Sequence, residues 1–317
     1  GFRNPVAVAR GNDGAMYVVN RSYEYRPDGK RITICTVDEE YIGEFARGVV
    51  TAGVTEENED DGSLIWPTSV AIDKDSNVYV ADEWLNRISM FTKDGDWLGK
   101  WGTKGGGDGQ LGGPSGMAFD ADNNLLIVDS QNNRVQKFTK DGQFISKWGR
   151  EGSGDGELSL PWGIAIDKDG SVYIADWRND RVQKFTADGR FLMKIGTSGK
   201  GEGQLDRPTS VDIDQDGLIY VADWGNDRLQ IFGADGNLVA VLTGDATVSK
   251  WGKDKLDAND EMWKERAIAQ GIEREKDFWG AIGVEVDDEG RIFVVESARN
   301  RIQVYRKQTP MFFGGRL

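Results

Sequence analysis

The chain contains no histidine. That absence removes imidazole metal sites, Ser–His and Cys–His nucleophile activation, and imidazole general-base chemistry. Any catalysis falls to Asp, Glu, Lys, Tyr or Arg. A single cysteine, Cys35, excludes an internal disulfide framework and reads as a buried, inert thiol on a strand. No apolar run approaches the ~18 residues of a membrane helix, so no membrane insertion is expected. Positive charge is also scarce: 39 Lys and Arg face 53 Asp and Glu, for a net charge of −14. Nucleic-acid affinity rests on Lys and Arg neutralising phosphates, so no nucleic-acid partner is expected. What the 317 residues do contain is glycine, 42 against 7 prolines, in a turn-rich pattern.

The glycines belong to a repeat, and repeats decide a fold before anything else does. Four segments align without gaps, beginning WPTSVAIDKDSNVYVAD, GPSGMAFDADNNLLIVD, LPWGIAIDKDGSVYIAD and RPTSVDIDQDGLIYVAD. Pro67, Pro114, Pro161 and Pro208 recur every 47 residues, as do Asp82, Asp129, Asp176 and Asp223, and Arg87, Arg134, Arg181 and Arg228. Two imperfect copies complete the set. One starts at Pro5 with Asn20 at the Asp position; the other starts at Ala281 with Glu296 there. Within a unit, alternating apolar residues mark four short strands joined by tight Asp-Gly-type turns. Six such units predict an all-β fold, a six-bladed propeller of four-stranded antiparallel blades. The blades should start near residues 5, 67, 114, 161, 208 and 281, in one domain spanning 1–317. Met311–Gly314 is expected to supply the fourth strand of blade six.

The strand-final VYVAD, the following N-x-R-[IV] and the F-x-x-DG turn resemble the NHL repeat family. The resemblance implies the propeller fold and leaves function open, because NHL propellers include RNA readers, docking modules, sensor domains and a few lyases. The repeated Asp and Arg read as architecture. Asp82 and Arg87 are expected to tie the strand two–three loop to an adjacent strand by charge-assisted hydrogen bonds.

Departures from the repeat carry the functional signal. Three insertions, 20–31, 43–65 and 244–278, fall in loops that open on one face of a propeller, and loops on one side of a rigid scaffold carry function. They are expected to meet around one mouth of the central channel. The longest looks partly helical, capped at Asp257 or Asn259, with Met262, Ala269 and Ile272 on one side; it is read as a rim helix or a lid. Trp66, Trp84, Trp162, Trp177, Trp224, Trp251, Trp263 and Trp279 lie in segments of the same face, joined by Tyr23, Tyr25 and Arg178. Aromatic clusters at a rim suit sugar, cation or protein contacts.

A second departure lies on the innermost strands, whose middle positions read Val8, Ala71, Ala118, Ala165, Asp212 and Glu285. Neighbouring carboxylates in a narrow channel repel, which raises a pKa or calls for a cation. Asp212 and Glu285 are thus candidate acid/base residues or Ca²⁺ ligands, with Asn20, Glu296 and Ser210 as further oxygens. Two functions follow. One is a binding module presenting an aromatic, acidic face to a protein, glycan or cationic small-molecule ligand through Tyr23, Tyr25, Trp66, Trp84, Trp162, Trp177, Arg178, Trp224, Trp263 and Trp279. The alternative is a Ca²⁺-dependent, lactonase-like hydrolase or lyase using the channel carboxylates.

Overall fold

A computed structural model describes residues 1–22, 26–47, 62–269 and 271–307. Its strands form six antiparallel sheets, each ordered from the inside outward, and one short parallel pair, Thr197–Ser198 with Gln204–Leu205, between blades four and five. Blade one comprises Pro5–Arg10, Met16–Asn20, Arg31–Cys35 and Tyr41–Phe45; blade two, Pro67–Ile72, Val78–Asp82, Arg87–Phe91 and Trp97–Trp101. Blade three comprises Pro114–Phe119, Asn124–Asp129, Arg134–Thr139 and Phe144–Trp148; blade four, Ile164–Ile166, Val172–Asp176, Arg181–Phe185 and Phe191–Ile195. Blade five comprises Pro208–Ile213, Ile219–Asp223, Arg228–Phe232 and Leu238–Leu242. Blade six has three strands among the described residues, Ala281–Val286, Arg291–Glu296 and Arg301–Arg306. Residues 311–314 lie outside those described.

Second strands read as unbroken apolar runs because both faces are covered by neighbouring blades; Val78–Asp82, Val172–Asp176 and Ile219–Asp223 are buried throughout. Aromatics lock successive blades. The last residue of a fourth strand stacks on the third strand of the next blade: Phe45 on Phe91 at 4.9 Å, Trp101 on Phe138 at 5.1 Å and Trp148 on Phe185 at 4.6 Å. The Asp-Gly turns serve this packing twice. Gly95, Gly142 and Gly189 adopt φ of 95°, 85° and 85°, and a Cβ there would come within 2.6 Å of Phe45, 2.5 Å of Trp101 and 2.2 Å of Trp148.

Blades two to six are each tied to the connection before them by a buried polar knot. In blade four Asp176 Oδ2 accepts from Arg181 Nε at 2.9 Å and from Gln183 Nε2 at 3.0 Å, while Oδ1 accepts the Ser159 N–H at 2.7 Å. The Arg181 guanidinium donates onward to the carbonyls of Ser153, Gly154 and Glu157 in the connection from blade three. Asp129–Arg134–Gln136 and Asp223–Arg228–Gln230 repeat it. The arginines hold the blade-to-blade connection, while the acids also hold the strand two–three loop expected from sequence: Asp82 Oδ1 accepts the Trp84 and Leu85 N–H groups, and Asp176 accepts from Asn179. Blade six substitutes Glu296, which accepts from Arg301, Gln303 and the Trp279 N–H.

Two details correct the sequence reading. Strand register pairs Ala9 with Tyr17 as Ala71 pairs with Tyr79 and Asp212 with Tyr220, so Ala9, not Val8, is the blade-one counterpart of the channel carboxylates. Regular pairing in blade four starts at Ile164 because Trp162 and Gly163 replace the usual Thr or Ser and its neighbour.

The knot makes a stability prediction. Asp176 has no exposed side-chain surface and Arg181 only 8%; removing one partner of a buried pair typically costs about 3–5 kcal/mol. Arg181→Ala should lower the melting temperature by at least about 6 °C. Lys194→Ala, which breaks an ion pair with Asp155 whose side chains are 55% and 52% exposed, should shift it by less than about 2 °C. Differential scanning calorimetry distinguishes the two, and equal shifts would remove the knot from its place in the fold.

Candidate functional site

The inner strands enclose a channel of about 310 Å³, lined along its length by residues from all six blades, including Val6–Arg10, Thr68–Ile72, Trp162–Ile166 and Glu285. Its two ends differ chemically. Pro208 pairs with Asp223 and Ala281 with Glu296 at the end that carries the insertions; Asp212 and Glu285 pair with Tyr220 and Phe293, close to the tight turns of the opposite face. The indoles therefore stand at one mouth, while the carboxylates, expected at the middle of the innermost strands, stand near the other.

At the carboxylate end, Asp212 Oδ1 accepts its neighbour Ile213 N–H at 2.9 Å and Oδ2 accepts the Val286 N–H of the next blade at 2.6 Å. Glu285 in turn accepts the Arg10 N–H of blade one. Val286 and Arg10 occupy equivalent register positions, so each acid caps an inner-strand amide of the following blade. Burial pushes Asp212 up to about 7, against the opposing pull of the two N–H groups. Burial, the Asp212 charge and Asp287 raise Glu285 well above its ordinary range, against a lowering by Arg10. Arg10 was not singled out from sequence. It replaces the apolar Ile72, Phe119, Ile166, Ile213 and Val286 of the other blades, lines the channel and pairs with Asp287 at 2.5 Å.

Asn20 and Glu296 do not join this pair. Both are fully buried at the far end of their second strands. Asn20 accepts the Arg3 N–H at 2.7 Å and donates to Val18 O and Thr33 Oγ1, while Glu296 is held by Arg301 and Gln303. Ca²⁺ takes 6–8 oxygen ligands. Here the carboxylate oxygens of Asp212 face N–H donors, and among the described residues no three acidic groups gather to share an ion. The residues do not fit a Ca²⁺ centre.

The other mouth is aromatic. Trp66 and Trp84 stack at 6.5 Å, and the Arg21 guanidinium lies 4.7 Å from the Trp66 ring centroid while pairing with Glu83. Arg207 lies 4.7 Å from Trp224, and Arg299 lies 5.5 Å from Trp279. Trp84 and Trp279 stay 60% and 58% exposed. Trp177 is half-buried beside exposed Arg178 in the short helical turn after Asp176, and Trp162 reaches the channel itself. Three arginines that fix these rings, Arg21, Arg207 and Arg299, were missed because nothing in their local spacing announces a stacking partner. Tyr23, Tyr25 and the acidic run at 56–61 lie outside the described residues, as does the Trp251 side chain.

The long insertion does not converge on the channel mouth. Its end stays on the expected face, where Arg301 binds Glu275 O and Asp277 O and the Phe278 N–H binds Thr243 O. Helix α1 (Lys250–Asp257), capped by Ser249, instead runs along the outside of blade six to an ion pair between Lys250 and Glu40 in a blade-one turn of the opposite face. Helix α2 (Asp260–Ile268), capped by Asn259, leaves Met262 and Ile268 exposed and holds Trp263 to Asp257. None of these residues lines the channel, so the insertion is a rim structure rather than a lid.

With this geometry in hand, comparisons with known proteins are informative. The family model for an NHL repeat matches residues 205–232, and the SMP-30/gluconolactonase/LRE-like region matches residues 107–202. The chain is a six-bladed propeller that carries an NHL repeat. The streptogramin B lyase structure is similar at a TM-score of 0.58 and 13% identity, covering 97% of this chain and 84% of that one. A catalytically inactive histidine-to-alanine variant of virginiamycin B lyase from Staphylococcus aureus, with quinupristin, gives 0.57 and 12%, covering 96% and 85%. A chain of the nidogen/laminin complex gives 0.54 and 18%, covering 75% and 79%. These likenesses show the fold. No curated protein matches in sequence. The gluconolactonase-like match spans blades three and four and includes neither Asp212 nor Glu285.

The raised carboxyls give a signed pH dependence. Between the ordinary Asp value of 3.8 and about 7, the folded protein holds a proton that the unfolded chain has released, so stability falls as pH rises through that window and levels above it. Glu285→Gln keeps an acceptor for the Arg10 N–H and removes one of the two charges. Relative to wild type it should gain at least about 3 °C in melting temperature at pH 8 and little at pH 4.5. A variant that tracks wild type at both pH values would show the pair to be ionically silent.

Proposed function

We propose that this NHL propeller is a binding module that receives a protein or glycan on the face carrying Trp66, Trp84, Trp177, Trp224 and Trp279. The observation behind this reading is the exposure of Trp84 and Trp279 on a face where indoles stack on guanidinium groups and one another. An exposed indole is costly to leave in water and offers a rigid apolar plate with one donor, the chemistry that dominates binding hot spots. Stacking fixes Trp66, Trp224 and Trp279 in advance, which lowers the ordering cost on binding. A related fold in the nidogen/laminin complex is a precedent for such a propeller within a protein assembly.

The enzyme reading has one supporting observation, a carboxyl at Asp212 with a pKa of about 7, suited to proton transfer near neutrality. Two observations weigh against it. The Asp212 oxygens are engaged by backbone amides, and the chain lacks any histidine such as the one whose loss inactivates the similar lyase.

The test compares wild type, Trp84→Ala with Trp279→Ala, and Asp212→Asn with Glu285→Gln on a panel of oligosaccharides and extracellular-matrix proteins, followed by tryptophan fluorescence. The indole variant should keep its melting temperature within about 2 °C and lose at least about 30-fold in affinity, near 2 kcal/mol. The channel variant should bind as wild type does. Loss of binding in the channel variant alone would move the site to the carboxylate mouth.

A further inference from the structure

From blade two onward, a connection between blades ends on a recurring pattern. Its last three residues before the Pro position present an apolar side chain, an amide for the knot ahead and an amide for the blade just left. Leu158, Ser159 and Leu160 show it: Leu158 is fully buried, the Ser159 N–H goes to Asp176, and the Leu160 N–H goes back to Asn133 of blade three at 2.7 Å. The backward acceptor sits at one left-handed position in each of these blades. Asn86, Asp180 and Asp227 take the N–H groups of Gly113, Arg207 and Gly280 at 2.8, 2.8 and 2.7 Å. The donating residues are left-handed too, with φ of 43° at Leu160 and 53° at Arg207.

Residues 2–4, ahead of blade one, carry the same three features. Phe2 packs on the cluster that joins Met16, Val18 and Cys35 of blade one to Phe293 and Val295 of blade six. The Arg3 N–H goes to Asn20 at 2.7 Å, and the Asn4 N–H goes to Asn300 of blade six at 2.6 Å, with Asn4 at φ of 49°. Arg31 donates to Gly1 O as Arg181 does to Glu157 O. One thing differs. Elsewhere the partners of the backward bond are 27 or 53 residues apart, and the chain between them joins the two blades. Asn4 and Asn300 are 296 residues apart. A tether keeps a broken contact at high effective concentration, and this junction has no such short tether. We propose that segment 1–4 is the latch of the ring, a connection end docked on blade six without being its continuation, whose release lets blades six and one part. At the opposite mouth the junction is held by the Arg10 N–H on Glu285 and the Arg10 guanidinium on Asp287 at 2.5 Å. The latch also braces the aromatic face, since Asn4 O accepts the N–H of Arg21, whose guanidinium stacks on Trp66.

Cys35 reports on the junction, being the one thiol of the chain and buried in the same cluster as Phe293 and Val295. Asn300→Ala and Asn133→Ala remove the same kind of bond at matching φ of 55° and 53°, the second where the chain still joins the blades. On the full chain, Asn300→Ala should raise the rate of Cys35 labelling by an aromatic disulfide reagent at least about tenfold. It should also speed amide exchange in Pro5–Arg10 and Ala281–Val286 while Val172–Asp176 stays as protected as in wild type. Asn133→Ala should leave the labelling rate within about twofold of wild type. Asn300→Asp keeps an acceptor, as Asp180 and Asp227 do in their blades, and should label as wild type does. Equal labelling of the Asn300→Ala and Asn133→Ala variants would overturn the proposal, as would an Asn300→Asp variant that labels as fast as Asn300→Ala. Faster exchange spread evenly over all six inner strands would also overturn it, in favour of global unfolding.

Discussion

The propeller depends on a polar side chain buried at the end of each second strand, a carboxylate in blades two to six. Beside that point runs the connection from the preceding blade, whose backbone amides and carbonyls have to be paired. Asp129, Asp176 and Asp223 meet the requirement by accepting a connection amide on one oxygen and an arginine on the other. The arginine then spends its remaining donors on connection carbonyls, as Arg134 does with Gly106, Gly107 and Gln110. A buried ion pair is not stabilising by itself. These pairs fix a conformation, because one carboxylate oxygen and the arginine's remaining donors hold a connection whose own pairing is limited to short parallel bridges such as Thr197–Ser198 with Gln204–Leu205. Bidentate, planar donors explain why arginine and not lysine stands at each site.

Variation of the knot follows local need. Asn20 replaces the acid in blade one, where Arg31 pairs with Glu44 at 2.7 Å, and a neutral amide both accepts and donates. Glu296 is one methylene longer and reaches the returning end of the 244–278 insertion through the Trp279 N–H. An insertion of that length is tolerated because its two ends are pinned together, the Phe278 N–H on Thr243 O and the Ala246 N–H on Lys276 O. The loop-closure cost of the residues between them grows only slowly with length.

Periodicity made the fold legible because 47-residue spacing repeats a geometric unit, and the residues that close the unit, Pro, Asp, Arg and the Asp-Gly turn, cannot be exchanged cheaply. Register in the divergent first blade was less legible. PVAVAR alternates with so little contrast that Val8 and Ala9 were interchangeable until pairing with Tyr17 fixed the choice. The candidate site was legible only in parts. Trp84 and Trp279 are exposed as expected, yet sequence gave no means of seeing that strand direction sends Asp212 to the opposite mouth from Trp224, 12 residues later. The course of α1 was illegible for a similar reason. A loop's face of origin says nothing about which distant turn it then reaches, and the turn here, at Glu40, lies far back along the chain.

The two mouths of the channel differ in whether their polar groups are already satisfied, and that difference decides where a ligand has something to gain. At the carboxylate mouth, Asp212 and Glu285 cap amides that would otherwise face an empty channel, so a ligand must displace bonds of the fold before making its own. Displacing a backbone amide from a carboxylate in a low-dielectric channel strands both groups at about 1–3 kcal/mol each or more. At the aromatic mouth the knots have already consumed the strand-end amides and carbonyls, and what projects beyond them is side chain: Trp84, Trp279 and Arg178, with exposed surface that only water covers. Burial of an indole face there displaces water without breaking any bond of the scaffold, so the full apolar area counts toward binding at roughly 25 cal/mol per Å² before the costs of association. The same knots that hold the blades together thus leave the aromatic face as the one end of the channel where binding does not compete with folding.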